Sequence, residues 1–554
     1  MKLEEIIRKH TLKNAFEYGK ANLGSVVGKV IGEMPNVKKD MKKTIELINK
    51  AVVEVNKMQK DAVEKELEKY HFEKKEEKEK KIIEAKENVI TRFPPEPSGY
   101  PHIGHAKAAW LDYTVAEENG GKMILRFDDT NPEKETLEFV DAIKEGLKWL
   151  GVKWSEESYT SNNMEKLYSF AEKLIKDGKA YVCTEKQEEM SEMRTSKKPL
   201  KDRANKPEDN MKLWNEMKKG KRYVLLFKGD LKSENTVMRD PTLARVIEGK
   251  HYKQGDKYKV WPNYDLAVVV MDNLEGITHS MRTKEYELRD ELYFALCDAL
   301  GFKKPELIGF SRLEIKNAPI SKRLLKPLVE EKKVMGWDDP RLPTLSGLKR
   351  RGILPHAIKD FVLSFGLSKV ESNPDYEKLL VFNRKLLDPI SKHYFFVPNP
   401  VKVRLIGAKP QLLELPLNPK EKVGYREMAV GNVVYINENE LDSIKIGEVF
   451  RLKDFCNVKL LKKGNVVEAE VVKDEMVPKK LQWVCEEHTP TKILVPKDLL
   501  KDEKFDPESL EVIEGYAEND CERLNIGEIV QFERFGFCRL DKKGDKKLTF
   551  VFSC

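Results

Sequence analysis

No stretch of this 554-residue chain approaches the roughly 20 consecutive apolar residues that a membrane-spanning helix needs. The first residues, Met1-Lys2-Leu3-Glu4-Glu5, carry no apolar signal region, so the expected location is the cytoplasm. The seven cysteines, at 183, 297, 456, 485, 521, 538 and 554, include no Cys-x-x-Cys pair. So odd and scattered a set reads as reduced thiols, which excludes a disulfide framework and a cysteine-built zinc cage. An excess of one charge is also missing: 101 Lys and Arg against 93 Asp and Glu leave +8. That balance permits a nucleic-acid partner without arguing for one. Apolar material is plentiful. With 40% apolar residues, the chain can build about three or four cored domains.

The most informative stretch runs from Val89 to Asn131. Residues 89–93 are a short apolar run halted by Pro94, Pro95, Pro97 and Gly99, which predicts a buried strand ending in a loop. From Ala106 the period changes. Ala106, Ala109, Trp110, Tyr113 and Ala116 fall on one helical face, and Asn119-Gly120-Gly121 supplies a left-handed stop. Met123-Ile124-Leu125-Arg126-Phe127 is a second apolar strand, followed by Asp128-Asp129-Thr130-Asn131-Pro132. Strand, crossover helix and strand predict a parallel sheet with a ligand crevice at the strand ends.

In that loop His102 and His105 stand three apart at a helix N-terminus. Backbone N–H groups and the helix dipole favour an anion there. Two imidazole donors aimed at the same point suit a phosphate under attack. The plainer reading, in which one histidine caps the helix and the other packs, stays open. Zinc is not expected, because no further ligands stand nearby.

Pro101-His102-Ile103-Gly104-His105 resembles the HIGH signature of class I aminoacyl-tRNA synthetases. The runs Phe93-Pro94-Pro95-Glu96-Pro97-Ser98-Gly99 and Arg126-Phe127-Asp128-Asp129-Thr130-Asn131-Pro132 narrow the resemblance to the glutamyl/glutaminyl subgroup. Gly336-Trp337-Asp338-Asp339-Pro340-Arg341 fits the same subgroup. Asn317-Ala318-Pro319-Ile320-Ser321-Lys322-Arg323 resembles the KMSKS loop in its Ser-Lys-Arg form, with Pro319-Ile320 departing from the usual start. A flexible ammonium at Lys322 could follow charge as pyrophosphate departs, and closure of such a loop would exclude water. As a bare run it would be an exposed basic turn.

The resemblance implies a multidomain α/β + β chain built on a Rossmann-like catalytic domain. Its expected parts are a charged helical appendage at 1–87, the first catalytic half at 88–185 and an acceptor-binding insertion at 186–258. The second catalytic half with the KMSKS-like loop follows at 259–334, then a helical connecting domain at 335–396 and anticodon-binding β-barrels at 397–554. Residue patterns agree in outline. Asp61 to Lys86 is rich in Glu and Lys at helical spacing, and Ala21 to Ile31, with Gly24, Gly28 and Gly32, reads as a small helical packing element. Strands are predicted at 180–183, 223–227, 237–241, 267–270 and 306–315, and a helix at 286–300 closed by Gly301. The basic run Lys349-Arg350-Arg351 reads as phosphate-tracking or as plain surface. Beyond Val401 short strands and turns alternate, the texture of β-barrels. Within the resemblance, C-terminal barrels belong to the archaeal/eukaryotic type of glutamyl enzyme and to the glutaminyl enzymes, and so point away from the bacterial glutamyl type.

For the amino acid, the resemblance places Arg92, Glu96, Asp128, Tyr264 and Arg282 around glutamate. Arg92 is expected to face the crevice from the end of the first strand. Two guanidinium forks suit two carboxylates, and Asp128 suits the ammonium. With glutamine a buried arginine would lose its partner at a cost of roughly 2–5 kcal/mol. The plainer readings are an Arg282–Glu285 ion pair and Asp128 as a helix cap. The nucleotide falls to His102, Gly104, His105, Ser321, Lys322 and Arg323, with His102, His105 and Lys322 catalytic. The implied activity is glutamate–tRNA ligation, using ATP with Mg²⁺ carried by the nucleotide and no protein metal cage. Implied partners are tRNA(Glu), and tRNA(Gln) if the barrels accept it, with the chain a monomer. A glutaminyl enzyme and a non-catalytic tRNA-binding paralogue are the competing readings.

Overall fold

The computed structural model describes residues 3–18, 20–58, 60–67, 69–70, 82–85, 88–371, 373–421, 423–464, 466–473 and 477–554. The chain divides into two units, Met1–Lys80 and Lys81–Cys554.

The first unit is helical: Leu3–Tyr18, Leu23–Glu33, Met41–Val55 and Lys60–Leu67 enclose a core of Ile6, Leu12, Val26, Val30, Ile48 and Val52. Asn22 and Asp40 cap the second and third of these helices by accepting from Ser25 and Lys43 backbone N–H groups. The glycines of the second helix do not mark close packing. A Cβ on Gly28 or Gly32 would meet nothing within 4 Å, and it is Val26 and Val30 that are buried. Half of the Glu/Lys-rich run at 61–86 lies outside the described residues; the helix Lys60–Leu67 covers its start.

The second unit is organised around parallel strands. Ile90–Phe93, Lys122–Phe127 and Glu156–Tyr159 pair in that order, and His279–Thr283 pairs in parallel with Glu306–Phe310. Thr278 joins the two sets: its N–H donates to the Ile90 carbonyl (3.0 Å) and its Oγ1 accepts from the Ile90 N–H (2.8 Å). Ile90–Phe93 is therefore flanked on one side by the strand that follows it and on the other by a strand from the second half. A crevice opens where strand order reverses in such sheets. Helix Ile103–Glu118 packs Ile103, Ala106, Ala109 and Trp110 against this sheet, and Gly120 takes the left-handed conformation (φ +64°) just past its end.

Between the halves stands a four-stranded antiparallel sheet, Ala180–Cys183, Val224–Phe227, Thr242–Val246 and Val260–Pro262. The strand expected at 237–241 is a 3₁₀ turn, Thr236–Met238, with Asp240 at φ +45°; the strand begins after it, at Thr242. The largest correction is at 267–270, which is not a strand. Tyr264–Leu274 is a helix with Leu266 to Asp272 buried without interruption. An apolar run buried on every side has no period to read, so strand and helix look alike in it. The helix expected from 286 begins as a 3₁₀ turn, Lys284–Arg289, and becomes α-helical over Asp290–Leu300 with Gly301 as its left-handed cap. The strand expected to reach 315 stops at Phe310.

Helices Leu345–Arg351, Pro355–Leu363 and Tyr376–Leu387 lead to two seven-stranded, barrel-like sheets with separate cores. The basic run is absorbed here: Arg350 holds Asp541 through Nε (3.0 Å) and Nη2 (2.8 Å), and Arg351 lies over the Tyr376 ring. Two of its three cations therefore fasten the helical region to the last sheet and the neighbouring helix. Among the described residues no helix is long and apolar enough to cross a membrane.

Candidate active site

The histidine pair sits at the N-terminus of helix Ile103–Glu118, where chain geometry fixes it. His102 is the N-cap, and its Nδ1 accepts from the Gly104 N–H at 3.1 Å. His105 Nδ1 accepts in turn from the His102 N–H at 3.2 Å. The two rings lie 4.0 Å apart. Since each Nδ1 accepts, each neutral ring carries its proton on Nε2. Burial holds His102 well below the usual histidine range, helped by His105 and Arg312, and pushes His105 down to about 4. At neutral pH both are therefore uncharged donors. Neither Nε2 has a protein partner among the described residues. Gly104 has a steric reason: a Cβ there would lie 2.9 Å from the His102 ring and 3.6 Å from Ile320 Cδ1. The same contact places the KMSKS-like loop against the histidine corner. Ser321 caps helix Lys322–Glu330 without a side-chain bond, and Arg323 is exposed. Lys322 opens that helix; its side chain lies outside the described part of the structure.

A cleft of about 440 Å³ is lined by Glu96, Asp128 and Tyr264 together with Tyr286, Arg289, Arg245 and Glu135. Asp128 is not a helix cap: the following helix is capped by Thr136. Asp128 instead accepts from Thr160 Oγ1 at 3.0 Å and lies 3.3 Å from Arg126 Nε, while burial pushes its carboxyl up. Tyr264 tilts against Tyr286 at 4.7 Å.

Arg282 is 7% exposed and lies beside Tyr264. Its ion pair is with Asp290, not Glu285, which binds Thr283 and Arg312 instead. One guanidinium nitrogen, Nη1, is buried with no hydrogen-bond partner among the described residues, while the guanidinium lies over the Tyr293 ring at 5.2 Å. The expectation that Arg92 faces the crevice is not met. At 1% exposure it donates to Asp272 Oδ1 (3.0 Å), the Met281 carbonyl (2.9 Å) and Ser280 Oγ (2.7 Å).

Beneath the cleft lies a charge network that sequence reasoning missed. Arg126, wholly buried, binds Asp272 at 2.6 Å and Glu275 at 2.8 Å. Burial pushes the Asp272 carboxyl up, but Arg92 and Arg126 outweigh it and hold it below its usual range. The available signal was an arginine and an aspartate inside apolar runs, Ile124-Leu125-Arg126-Phe127 and Val269-Val270-Met271-Asp272, since charges buried there need partners. A second buried group, Asp129, Glu135 and His251, was also missed; burial pushes Asp129 up to about 6 and Glu135 up to about 9. Among the described residues no three His, Cys, Asp or Glu side chains are grouped to hold a metal ion.

Residues 88–389 match the model of the tRNA synthetases class I (E and Q) catalytic domain. Residues 391–474 and 480–541 match two models of anti-codon binding domains of the same group. The glutamate–tRNA ligase of Nitrosopumilus maritimus is 42% identical over 98% of each chain, and that of Pyrococcus abyssi is 38% identical over the full length of both. The chain belongs to the glutamate–tRNA ligases of class I. A glutamate–tRNA synthetase structure from Elizabethkingia anophelis aligns with 55% of this chain and 72% of its own at 23% identity, with a TM-score of 0.42. Family membership accounts for the barrel-like C-terminal sheets, which carry the anti-codon binding matches, and for a catalytic match that ends where those sheets begin.

Proposed function

We propose that the chain joins L-glutamate to ATP as glutamyl-adenylate, releasing pyrophosphate, and then transfers the glutamyl group to the 3′-terminal hydroxyl of tRNA(Glu), releasing AMP. The glutamate α-carboxylate attacks the α-phosphorus in line, and the pyrophosphate oxygen leaves. His102 and His105 act as neutral Nε2–H donors to the phosphate oxygens, with the N–H groups of the first helical turn around them. Two donors with no internal partner and no fixed charge fit a group whose charge moves during the step. Gly104 lets the nucleotide approach the backbone. Ser321 and Arg323 flank it from the loop, and Lys322 follows the departing pyrophosphate. Mg²⁺ carried by the ATP would neutralise part of the phosphate charge.

On the amino-acid side Asp128 and Glu96 accept from the ammonium, and Tyr264 and Arg282 take the side-chain carboxylate. Arg92 acts from behind the cleft wall, fixing Asp272 and the strand that carries Arg282. The observation that carries this reading is the buried Arg282 Nη1 without a hydrogen-bond partner among the described residues. A donor left unpaired in the free protein costs about 1–3 kcal/mol, and a carboxylate removes that cost where a neutral amide removes less of it.

The test is charging of total tRNA with labelled glutamate and, separately, labelled glutamine. Glutamate charging alone supports the reading. Glutamine charging would mean Arg282 does not read the side chain, and charging with neither would make the chain a tRNA-binding paralogue.

A further inference from the structure

Lys107, two residues beyond His105 on the same helix, is 1% exposed. Its ammonium donates to the Ser311 carbonyl at 2.7 Å and to Ser311 Oγ at 3.2 Å. The rings of Phe310 and Phe365 stand 5.6 and 5.8 Å from it. Among the described residues no carboxylate pairs with it, and burial alone pushes it down to about 8. A cation buried without an anion is costly, and an apolar side chain would fill the space for less. What the ammonium supplies is two charge-assisted bonds to a single residue.

That residue stands at a junction. Ser311 is the first position after strand Glu306–Phe310 and opens the segment that ends at Ser321 and Lys322. Arg312, its neighbour, lies close enough to His102 to depress it. Leu313, Ile315 and Ala318 pack in the same core as Ile103 and Ala106, and Ile320 closes against Gly104. The segment is thus tied to the histidine helix at both ends, by Lys107 at its start and by Ile320 at its finish.

We propose that Lys107 is a positioning residue for the activation step, fixing the point at which the Ser-Lys loop leaves the sheet so that Lys322 arrives beside the phosphates faced by His102 and His105. The proposal rests on the glutamate-activating reading of the site. Other charges around Lys107 are engaged elsewhere. Arg312 pairs with Glu285 and Lys369 with Glu287, while His279 of the adjacent strand lies 3.4 Å from Glu306. On the packed helix Pro355–Leu363, Lys359 lies over Trp110 and Asp360 is exposed. Asp112 of the same helix as Lys107 belongs with Arg92, Asp272 and Arg126. Raising pH through the lysine's range therefore weakens this strut. Glu135 in the cleft, pushed up to about 9, titrates over the same range, so the part of the profile that reports on the strut is the part Lys107→Met removes.

The test is glutamate-dependent ATP–pyrophosphate exchange with saturating tRNA, from pH 6.5 to 9.5, for the wild type, Lys107→Met and Ser311→Ala, alongside tRNA binding and Tm. At neutral pH Lys107→Met should lower kcat about 10- to 100-fold, as expected when a reacting group is displaced by about 1 Å. The glutamate KM should stay within about twofold and tRNA affinity should be unchanged. The component of the wild-type fall in kcat that sets in near pH 8 should disappear in the variant, while any limb from Glu135 nearer pH 9 stays. Ser311→Ala, which removes one of the two acceptors, should cost about two- to fivefold at an unchanged Tm, and it carries the test if Lys107→Met does not fold. Retention of wild-type kcat and pH profile overturns the proposal. So does a loss of kcat, KM and tRNA affinity together in step with Tm, because that is what packing alone would give. A wild type without glutamate-dependent exchange would overturn the reading of the site instead.

Discussion

The two corners of the candidate active site handle charge in opposite ways. At the histidine corner the groups are neutral, spend only Nδ1 on the protein and leave both Nε2–H donors open. Beneath the cleft, Arg92, Arg126 and Asp272 are 0–2% exposed and pair with one another and with Glu275, leaving only part of Arg126, its Nε, without a hydrogen bond among the described residues. The difference fits what each corner is proposed to meet. Phosphate charge shifts during the reaction, so its donors must be uncommitted and free of a counter-ion that would compete. On the proposed reading a carboxylate recognised in the ground state needs a fixed frame; the network gives the cleft that frame, and Arg282 beside it keeps Nη1 without a hydrogen-bond partner among the described residues.

The sharpest way to break this comparison is to remove one member of the paired corner. Asp272→Ala leaves Arg92 and Arg126 buried without their shared partner, and urea denaturation should show a loss of about 3–5 kcal/mol. His105→Ala at the open corner should do the reverse. Stability should barely move, while glutamate-dependent exchange falls roughly 10- to 1000-fold, or about 1.4–4 kcal/mol, with tRNA binding retained. Gly104→Ala pushes a methyl into the His102 ring and should cost up to about 100-fold in kcat by displacing one donor.

pH gives a smaller effect with a definite sign. His105 binds its proton only near pH 4 in the folded chain, against about 6.5 when unfolded. Its contribution to stability is therefore complete above about 6.5 and is lost as pH falls towards 4. Exchange kinetics should show no histidine limb near pH 6.5. A limb there, abolished by His105→Ala, would mean the ring works as a cation. The smallest effect is expected from Arg350→Ala, which breaks the pair with Asp541: about 1 kcal/mol of stability, with tRNA affinity unchanged because this cation already has a protein partner.

Much of the site could be read from the residues alone because the chemistry sits on local signals. Prolines and a glycine end the first strand, a helix starts at His102, and Asp128 follows the second strand, so the spacing of these residues already implied a crevice. What could not be read was set by tertiary contact. The run Leu266 to Asp272 is buried on all sides, and nothing in its composition separates a helix from a strand. Arg92 and Arg282 look equivalent as sequence, but Asp272 stands against one and Asp290 against the other. The Lys349-Arg350-Arg351 run looks like a phosphate track until Asp541, almost two hundred positions away, is found beside it. Lys107 gave no signal, since a lysine in a helix is ordinarily a solvated one.

On the proposed reading Arg282 Nη1 is held for the side-chain carboxylate of glutamate. The direct measurement is kcat/KM for glutamate and for glutamine in the wild type and in Arg282→Gln, in the presence of tRNA(Glu). The account predicts that the wild type prefers glutamate by well over tenfold and that the variant loses most of that preference through glutamate alone, roughly 2–5 kcal/mol. An unchanged preference in a folded variant would contradict it and move the reading of the side chain elsewhere in the cleft.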